Sequence, residues 1–409
     1  MIKTKLRFGQ AGSLYVAVLL SVIIGIGSSM ITTRILKPDD YGNLKFIQNF
    51  FQLLATISSL GILPTGALLL ARMKDGEANK RELIGAIILL TLILSMIFMG
   101  ISIGFSFVEN QLFGNNLGHL ILLFTPIIAI FIFQPCLEYI LQGDNRIYMM
   151  SFFRIMPGLL FIIFMVVLKY VIDINLSATL LIQLVSAGIV TVMIIIRLRP
   201  QYSRFKENRN LILKTNKQYG WHVYVGSISS VATSYLSTFV ISYFLDNANV
   251  GFYSLAITLS MPLMQIANVV GTTYFKEFAG ERKLPQKITL IAVSLTLGAM
   301  FVFILLLKYV VIILYTEQFS PVVSLGYVTA VGSSLFGLGD YINRFLQAKG
   351  KGKELRNSAF CVGFVNIVGY FLLVRFFGVM GAATTQLLAG FVYLTAMMYF
   401  YRKFRNQEF

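Results

Sequence analysis

Leu83 to Phe105 reads "LIGAIILLTLILSMIFMGISIGF", an apolar run without a single charge. A helix needs about 20 such residues to cross the ~30 Å hydrocarbon core of a bilayer, where every backbone polar group has to be satisfied within the segment. Runs of this kind recur at 12–35, 44–70, 83–107, 118–141, 149–171, 176–197, 219–244, 251–274, 288–314, 321–347, 355–376 and 379–401. With 57% hydrophobic and 12% charged residues, the remainder is too small for a water-soluble surface. None of the runs alternates with a period of two, as barrel strands do. The expected fold class is therefore all-α, a polytopic membrane protein with twelve transmembrane helices. The first run follows Lys3, Lys5 and Arg7 as a signal peptide would. It is too long for an h-region and lacks a small-residue cleavage site, so it reads as a retained helix.

Basic connections stay cytoplasmic. Placing the amino terminus inside puts 28 of the 34 Lys and Arg residues on the inner side, and only Arg34, Lys37, Lys45, Lys169, Lys308 and Arg375 on the outer. Both termini are expected in the cytoplasm. The net charge of +17 is thus explained by helix ends that meet anionic headgroups, with no need for nucleic acid.

The densest basic stretch, "RLRPQYSRFKENRNLILKTNK" (Arg197 to Lys217), lies midway and reads as a linker between two halves. A shift of 209 residues pairs "GSLYVAVLLSVIIGIGSSMITTRILKPDDYGNL" with "WHVYVGSISSVATSYLSTFVISYFLDNANVGFY". It matches Tyr15/Tyr224, Val16/Val225, Ser21/Ser230, Val22/Val231, Ser28/Ser237, Leu36/Leu245 and Gly42/Gly251. A second landmark, "YILQGDNR" (Tyr139 to Arg146), resembles "RFLQAKGK" (Arg344 to Lys351) at an offset of 205. Six spans per half make the repeats parallel, with a path expected between them. The expected domains are a six-helix bundle over 1–197, a basic cytoplasmic linker over 198–217 and a second six-helix bundle over 218–409, around a central cavity.

No phosphate-binding G-x-x-x-x-G-K-[ST] loop occurs, and no soluble segment is large enough for a nucleotide-binding domain. His119 and His222 lack neighbours at metal-ligand spacing; no metal or other cofactor is expected. Cys136 and Cys361 fall inside spans and read as small packing residues. Prolines 64, 126, 135, 157 and 262 lie within spans, where bent helices are the expectation.

Ionisable groups at membrane depth are costly and face a cavity or a partner. Glu138, Arg154, Asp340 and Arg344 lie within about two turns of the inner ends of their spans. Asp340 and Arg344, four apart, share a helix face and can neutralise each other. Either the arginines snorkel to the inner headgroups while the acids pair locally, or the group contacts an anionic headgroup and carries a coupling cation. Hydroxyls form a second pattern. Ser230, Ser234, Thr238 and Ser242 recur every four residues on span seven, with Ser21, Ser28, Ser29, Thr32 and Thr33 as a looser counterpart on span one. They read either as close-packing residues of helix contacts or as a hydrated face suited to a sugar-bearing substrate.

The stretch "TTRILKPDDYGNLKFIQNFFQLLATISSLGILPTGALLLARMKDGE" (Thr32 to Glu77) resembles the opening of the polysaccharide, Wzx-type, flippases. Arg34, Leu36, Pro38, Asp39, Asp40, Tyr41 and Gly42 follow that family's Arg-x-Leu-Gly-Pro-Glu-Glu-Tyr-Gly pattern, and Lys37 replaces its glycine. "KQYGWHVYVGSI", "FLDNANVGFYSLA" and "GVMGAATTQLLAG" resemble its seventh span, that span's exit and its last span. Pro38 and Gly42 read as an outer turn, with Asp39 and Asp40 capping the next helix.

The resemblance implies membership of the multidrug, oligosaccharidyl-lipid and polysaccharide exporter superfamily. It implies a transporter and not an enzyme: a flippase turning undecaprenyl-diphosphate-linked oligosaccharide, an O-antigen or capsular or exopolysaccharide repeat unit, to the outer leaflet of the bacterial plasma (inner) membrane by alternating access. Arg154, Arg344 and Arg34 are then headgroup candidates, since arginine forks match diphosphate oxygens. Arg34 has outer-surface anchoring as its other reading. Glu138 and Asp340 are candidates for coupling to H+ or Na+, and Ser21, Ser28, Ser230, Ser234 and Thr238 for lining the cavity. Membrane lipids, a polysaccharide polymerase and chain-length proteins are the implied partners. Three rivals stand beside this reading: a cation-coupled drug antiporter, a lipid II flippase, which usually has fourteen spans, and a membrane polysaccharide polymerase, which generally carries a large external loop.

Overall fold

The computed structural model describes the backbone of residues 2–73 and 79–407; the side chains of residues 2–15, 222, 226, 227, 229–234, 276, 279 and 407 lie outside the description. Among the described residues all regular structure is helical, and each apolar run falls on helix. The first run lies on α1 (Ile2–Ile35). The second is shared by α2 (Pro38–Ser58) and α3 (Ile62–Arg72), and α4 (Asn79–Phe113) carries the third. The fourth is split between α5 (Gly118–Phe124) and α6 (Ile130–Gly143). Then follow α7 (Ile147–Leu168) and α8 (Leu176–Leu198). The basic connection forms α9 (Phe205–Thr215) and a π-helical turn, Asn216–Gly220. The later runs form α10 (Trp221–Phe244), α11 (Asn247–Thr273), the short α12 (Phe275–Gly280), α13 (Gln286–Leu314), α14 (Pro321–Ala348) and α15 (Gly352–Gln407). The last helix covers two runs and is broken at Gly378, whose φ is 59°.

Among the described residues eight helices are long and apolar enough to cross a membrane, or nine with the bent pair α2/α3. The split of α5 from α6, the joining of two runs in α15 and the span of α10 explain why length alone finds fewer than twelve. Pro126 lies in the turn between α5 and α6, but the 60° bend between α2 and α3 is not a proline kink. Leu60 and Gly61, with φ of 45° and 77°, turn the chain there. Pro64 sits in the first turn of α3, where its missing N–H has no carbonyl to satisfy. Pro135, Pro157 and Pro262 are accommodated inside α6, α7 and α11.

The chain divides into two compact units, Met1–Leu36 with Ile47–Val231, and Lys37–Phe46 with Ala232–Phe409. In the first, the ring of Phe51 packs against those of Phe98 and Phe131, and Ile132 and Leu137 are fully buried. In the second, Phe278, Tyr341, Phe345 and Phe404 form an edge-to-face cluster joined by Met397. Leu92, Ile93, Met96 and Ile97 on α4 and Leu305, Leu306, Tyr309 and Ile313 on α13 are exposed. On a water-soluble protein such stripes would be aggregation sites; here they are the surface offered to lipid.

Two landmarks of the internal repeat recur as structure. At the end of α6 the Asn145 N–H donates to the Gln142 carbonyl (3.2 Å) and Arg146 N–H to Leu141 (2.9 Å); at the end of α14 Gly350 donates to Gln347 (3.0 Å) and Lys351 to Leu346 (3.0 Å). Asn145 and Gly350, with φ of 57° and 70°, are the left-handed residues of the same helix-ending motif. The other landmark, at Gly42 and Gly251, corrects an expectation. Gly42 is not in a turn: α2 begins at Pro38, with Asp39 and Asp40 in its first turn near the positive end of the helix dipole, and Gly42 lies inside it.

Candidate functional site

The turn that ends α6 reverses the chain into α7, and this brings Glu138 and Arg154 face to face. Arg154 Nε donates to Glu138 Oε1 (3.1 Å) and Nη2 to Oε2 (3.4 Å). The fork-to-carboxylate match is the geometry that fixes an arginine's direction. Side-chain exposures of 29% for Arg154 and 39% for Glu138 leave both within reach of a ligand. In the first unit an acid and an arginine thus pair locally.

In the second unit the expected partners part. Asp340 Oδ1 accepts from the Tyr393 hydroxyl on α15 (2.8 Å), and that hydroxyl accepts from Asn343 Nδ2 (2.8 Å). Arg344 donates instead from Nε to Asn268 Oδ1 on α11 (3.1 Å) and from Nη1 to Gln347 Oε1 (3.2 Å). One turn apart on α14, the two ions are thus held by neutral groups and not by each other. The reason is the packing of α14 between α11 and α15, which sets a tyrosine and an amide within closer hydrogen-bonding reach. Among the described residues no ion pair engages Arg344, and its guanidinium is held in place by amide oxygens.

The hydroxyls divide. Ser21 Oγ donates back to the Val18 carbonyl (2.7 Å) and Thr32 Oγ1 to that of Ser28 (2.7 Å), with Ser21 and Ser28 half-buried and Ser29, Thr32 and Thr33 buried. Thr238 and Ser242 are buried, and Ser242 Oγ donates to Asn247 Oδ1 (2.7 Å). Ser230 and Ser234 lie outside the residues whose side chains are described. Back-bonded, covered hydroxyls are what close helix packing uses. Arg34 is exposed in the last turn of α1. Cys136 is buried beside Thr91 Oγ1 (3.1 Å), whereas Cys361, expected to pack inside, is exposed on α15.

Sequence reasoning passed over Tyr393, Asn343 and Asn268, although two asparagines inside apolar runs are themselves a signal of buried polar pairing. It also passed over a second polar chain, Gln386 Nε2 to Ser333 Oγ (3.1 Å) to Ser260 Oγ (3.2 Å), which links α15, α14 and α11. Gln48 Nε2 donates to Gln183 Oε1 (2.6 Å) between α2 and α8. Such bonds hold membrane helices together where the hydrophobic effect does not.

An all-helical chain of membrane-spanning length, internally duplicated and carrying fixed intramembrane charges, defines a multi-pass membrane protein of transporter fold. The model of the family described as polysaccharide biosynthesis protein matches residues 10–275, and the chain belongs to that family. No curated protein matches it in sequence. Among solved structures, a lipid II flippase, MurJ, in an inward closed conformation superposes with a TM-score of 0.76 at 18% identity, over 94% of this chain and 86% of that one. An inward-facing multidrug resistance MATE family transporter of the MOP superfamily gives 0.72 at 16%, over 96% and 99%. The MATE multidrug transporter DinF-BH gives 0.69 at 13%, over 97% and 95%. At these identities the likeness is one of fold.

Proposed function

We propose that this protein is a flippase, and not an enzyme, that moves an undecaprenyl-diphosphate-linked oligosaccharide from the cytoplasmic to the outer leaflet of a bacterial plasma membrane by alternating access. The observation that carries the reading, within a family of polysaccharide biosynthesis, is the pair of fixed intramembrane arginines. Arg154 is aimed by Glu138 and Arg344 by Asn268 and Gln347, and a diphosphate is the headgroup part that such forks bind. Arg34 meets the headgroup as it leaves. Glu138 and Asp340 exchange a proton or sodium ion, Glu138 giving up its hold on Arg154 as the diphosphate takes its place. Of the hydroxyls expected to line a cavity, half-buried Ser28 is the one left to face the sugar. The chain is divided functionally into bundles over 1–197 and 218–409, joined by the basic segment 198–217, with both termini in the cytoplasm and a polymerase and chain-length proteins receiving the product.

A second reading, a cation-coupled drug antiporter, is favoured by the half-buried Asp340, a carboxylate that an organic cation would seek. Uptake by proteoliposomes separates them. The flippase reading expects transfer of a labelled prenyl-diphosphate oligosaccharide and no ion-driven transport of a cationic dye; dye transport alone would overturn it.

A further inference from the structure

We propose that the cavity at the start of α7 and the end of α8 is a binding site for an anionic phospholipid, which takes an acyl chain into its apolar body and its phosphate at Arg146 and Arg197. The cavity has a volume of about 490 Å³, within the range of ligand pockets, roughly 300–1,000 Å³. Ile147, Met149, Phe152, Met193 and Ile194 form its body, and its polar groups, the two arginines among them, all lie on Asn145 to Tyr148 or at Arg197. Polar and apolar ends are therefore separated as they are in a lipid.

The charge is arranged for an anion. Asp144 accepts from Lys80 Nζ (2.9 Å) and from Arg146 Nε (2.6 Å), which pins the arginine by its inner nitrogen. Among the described residues the terminal nitrogens of Arg146 have no partner, and Arg197, exposed in the last turn of α8, pairs with no carboxylate. Lys80 and Arg146 thus share one acid, and Arg197 lines the same cavity with no acid of its own among the described residues. Both helix ends lie on the side that the lysine and arginine bias assigns to the cytoplasm, where anionic lipid is found. Tyr148, 53% exposed at the rim, suits the same interface.

The occupant is a resident lipid and not the transported one. A headgroup that crosses the membrane needs polar groups beyond its entry point, and beyond the first turn of α7 this cavity is lined by methionine, isoleucine and phenylalanine.

The test is mass spectrometry of lipids retained by the full-length protein after reconstitution in equal phosphatidylglycerol and phosphatidylcholine and detergent washing. Wild type is expected to retain phosphatidylglycerol selectively. Each arginine-to-glutamine change should lower that retention about fivefold, and the double variant Arg146→Gln, Arg197→Gln on the order of twentyfold. Met193→Trp, which fills the cavity and keeps both charges, should lower it as well, and Arg402→Gln should leave it unchanged, with monodisperse elution required of all. Equal retention of the two lipids, undiminished retention in the double variant, or displacement of phosphatidylglycerol by an equal concentration of farnesyl diphosphate would each overturn the proposal.

Discussion

Gly42 and Gly251, 209 residues apart and equivalent in the internal repeat, touch each other within the second unit. A Cβ on Gly251 would stand 3.1 Å from the Gly42 nitrogen and 3.1 Å from the Pro38 carbonyl oxygen. A Cβ on Gly42 would overlap the carbonyl of Asn247, which is the repeat partner of Pro38. The contact is thus made twice with the roles exchanged, and it requires two backbones closer than any side chain allows. Asn247 Nδ2 donates to Asn43 Oδ1 (2.7 Å) and locks the crossing.

Gly42→Ala is therefore expected to cost about 1–3 kcal/mol as an overpacked helix contact. Gly251→Ala, with neighbours at 3.1–3.2 Å, should cost less. Thermal unfolding in detergent, followed by loss of the monodisperse peak, reads both. Equal midpoints for wild type and Gly42→Ala would remove the crossing from the structural account.

Arg154→Ala separates stability from transport. The Glu138–Arg154 pair is about one-third exposed, so its removal should cost no more than about 1 kcal/mol. Transfer of a labelled prenyl-diphosphate oligosaccharide in proteoliposomes is nonetheless expected to fall at least about tenfold, the effect of losing one charge-assisted fork of about 1.4 kcal/mol or more. Full transport by a well-folded Arg154→Ala would take the residue out of the mechanism.

For Asp340, the informative substitution is Asp340→Asn, whose amide oxygen still accepts from Tyr393. The midpoint of unfolding should stay within about 0.5 kcal/mol of wild type, while acceleration of transport by an imposed proton or sodium gradient disappears. Tyr393→Phe leaves the charge and should reduce, not abolish, that acceleration. Undiminished gradient dependence in Asp340→Asn would exclude it as the ion carrier.

Gly350 tests the repeat itself. Nothing lies within 4 Å of the place where its Cβ would be, so any effect of substitution is one of backbone conformation. Gly350→Asn, the residue its partner Asn145 already uses at φ 57°, should be nearly neutral. Gly350→Val should cost about 1–2 kcal/mol. Equal costs for both would mean that the two helix ends are not equivalent.

Much of this architecture is legible in advance because lipid imposes a rule that sequence obeys locally: a crossing needs a long apolar run, and a run can be counted. The repeat is legible for a related reason, since a shift of 209 residues pairs the crossing glycines and one of 205 pairs the helix-ending residues Asn145 and Gly350. Gly42 nevertheless reads as a turn. Its neighbours Pro38, Asp39 and Asp40 are turn formers and helix starters alike, and only the approach of Asn247 on α11 shows why position 42 carries no side chain. Glu138 and Arg154 are found because isolated charges stand out against apolar neighbours, whereas Tyr393, Asn268 and Asn343 escape notice, because neutral polar groups do not.

By itself the sequence determined the class of protein, the number of apolar segments, the duplication and the few residues that carry charge at membrane depth. Each of these depends on one segment or on a simple spacing. Which charge meets which partner was decided only by tertiary structure. Asp340 and Arg344 are one turn apart on a single helix and still bind groups on α15 and α11, since a hydrogen bond is won by the nearest well-aligned partner, and nearness in a helical bundle is set by how helices pack and not by their order in the chain.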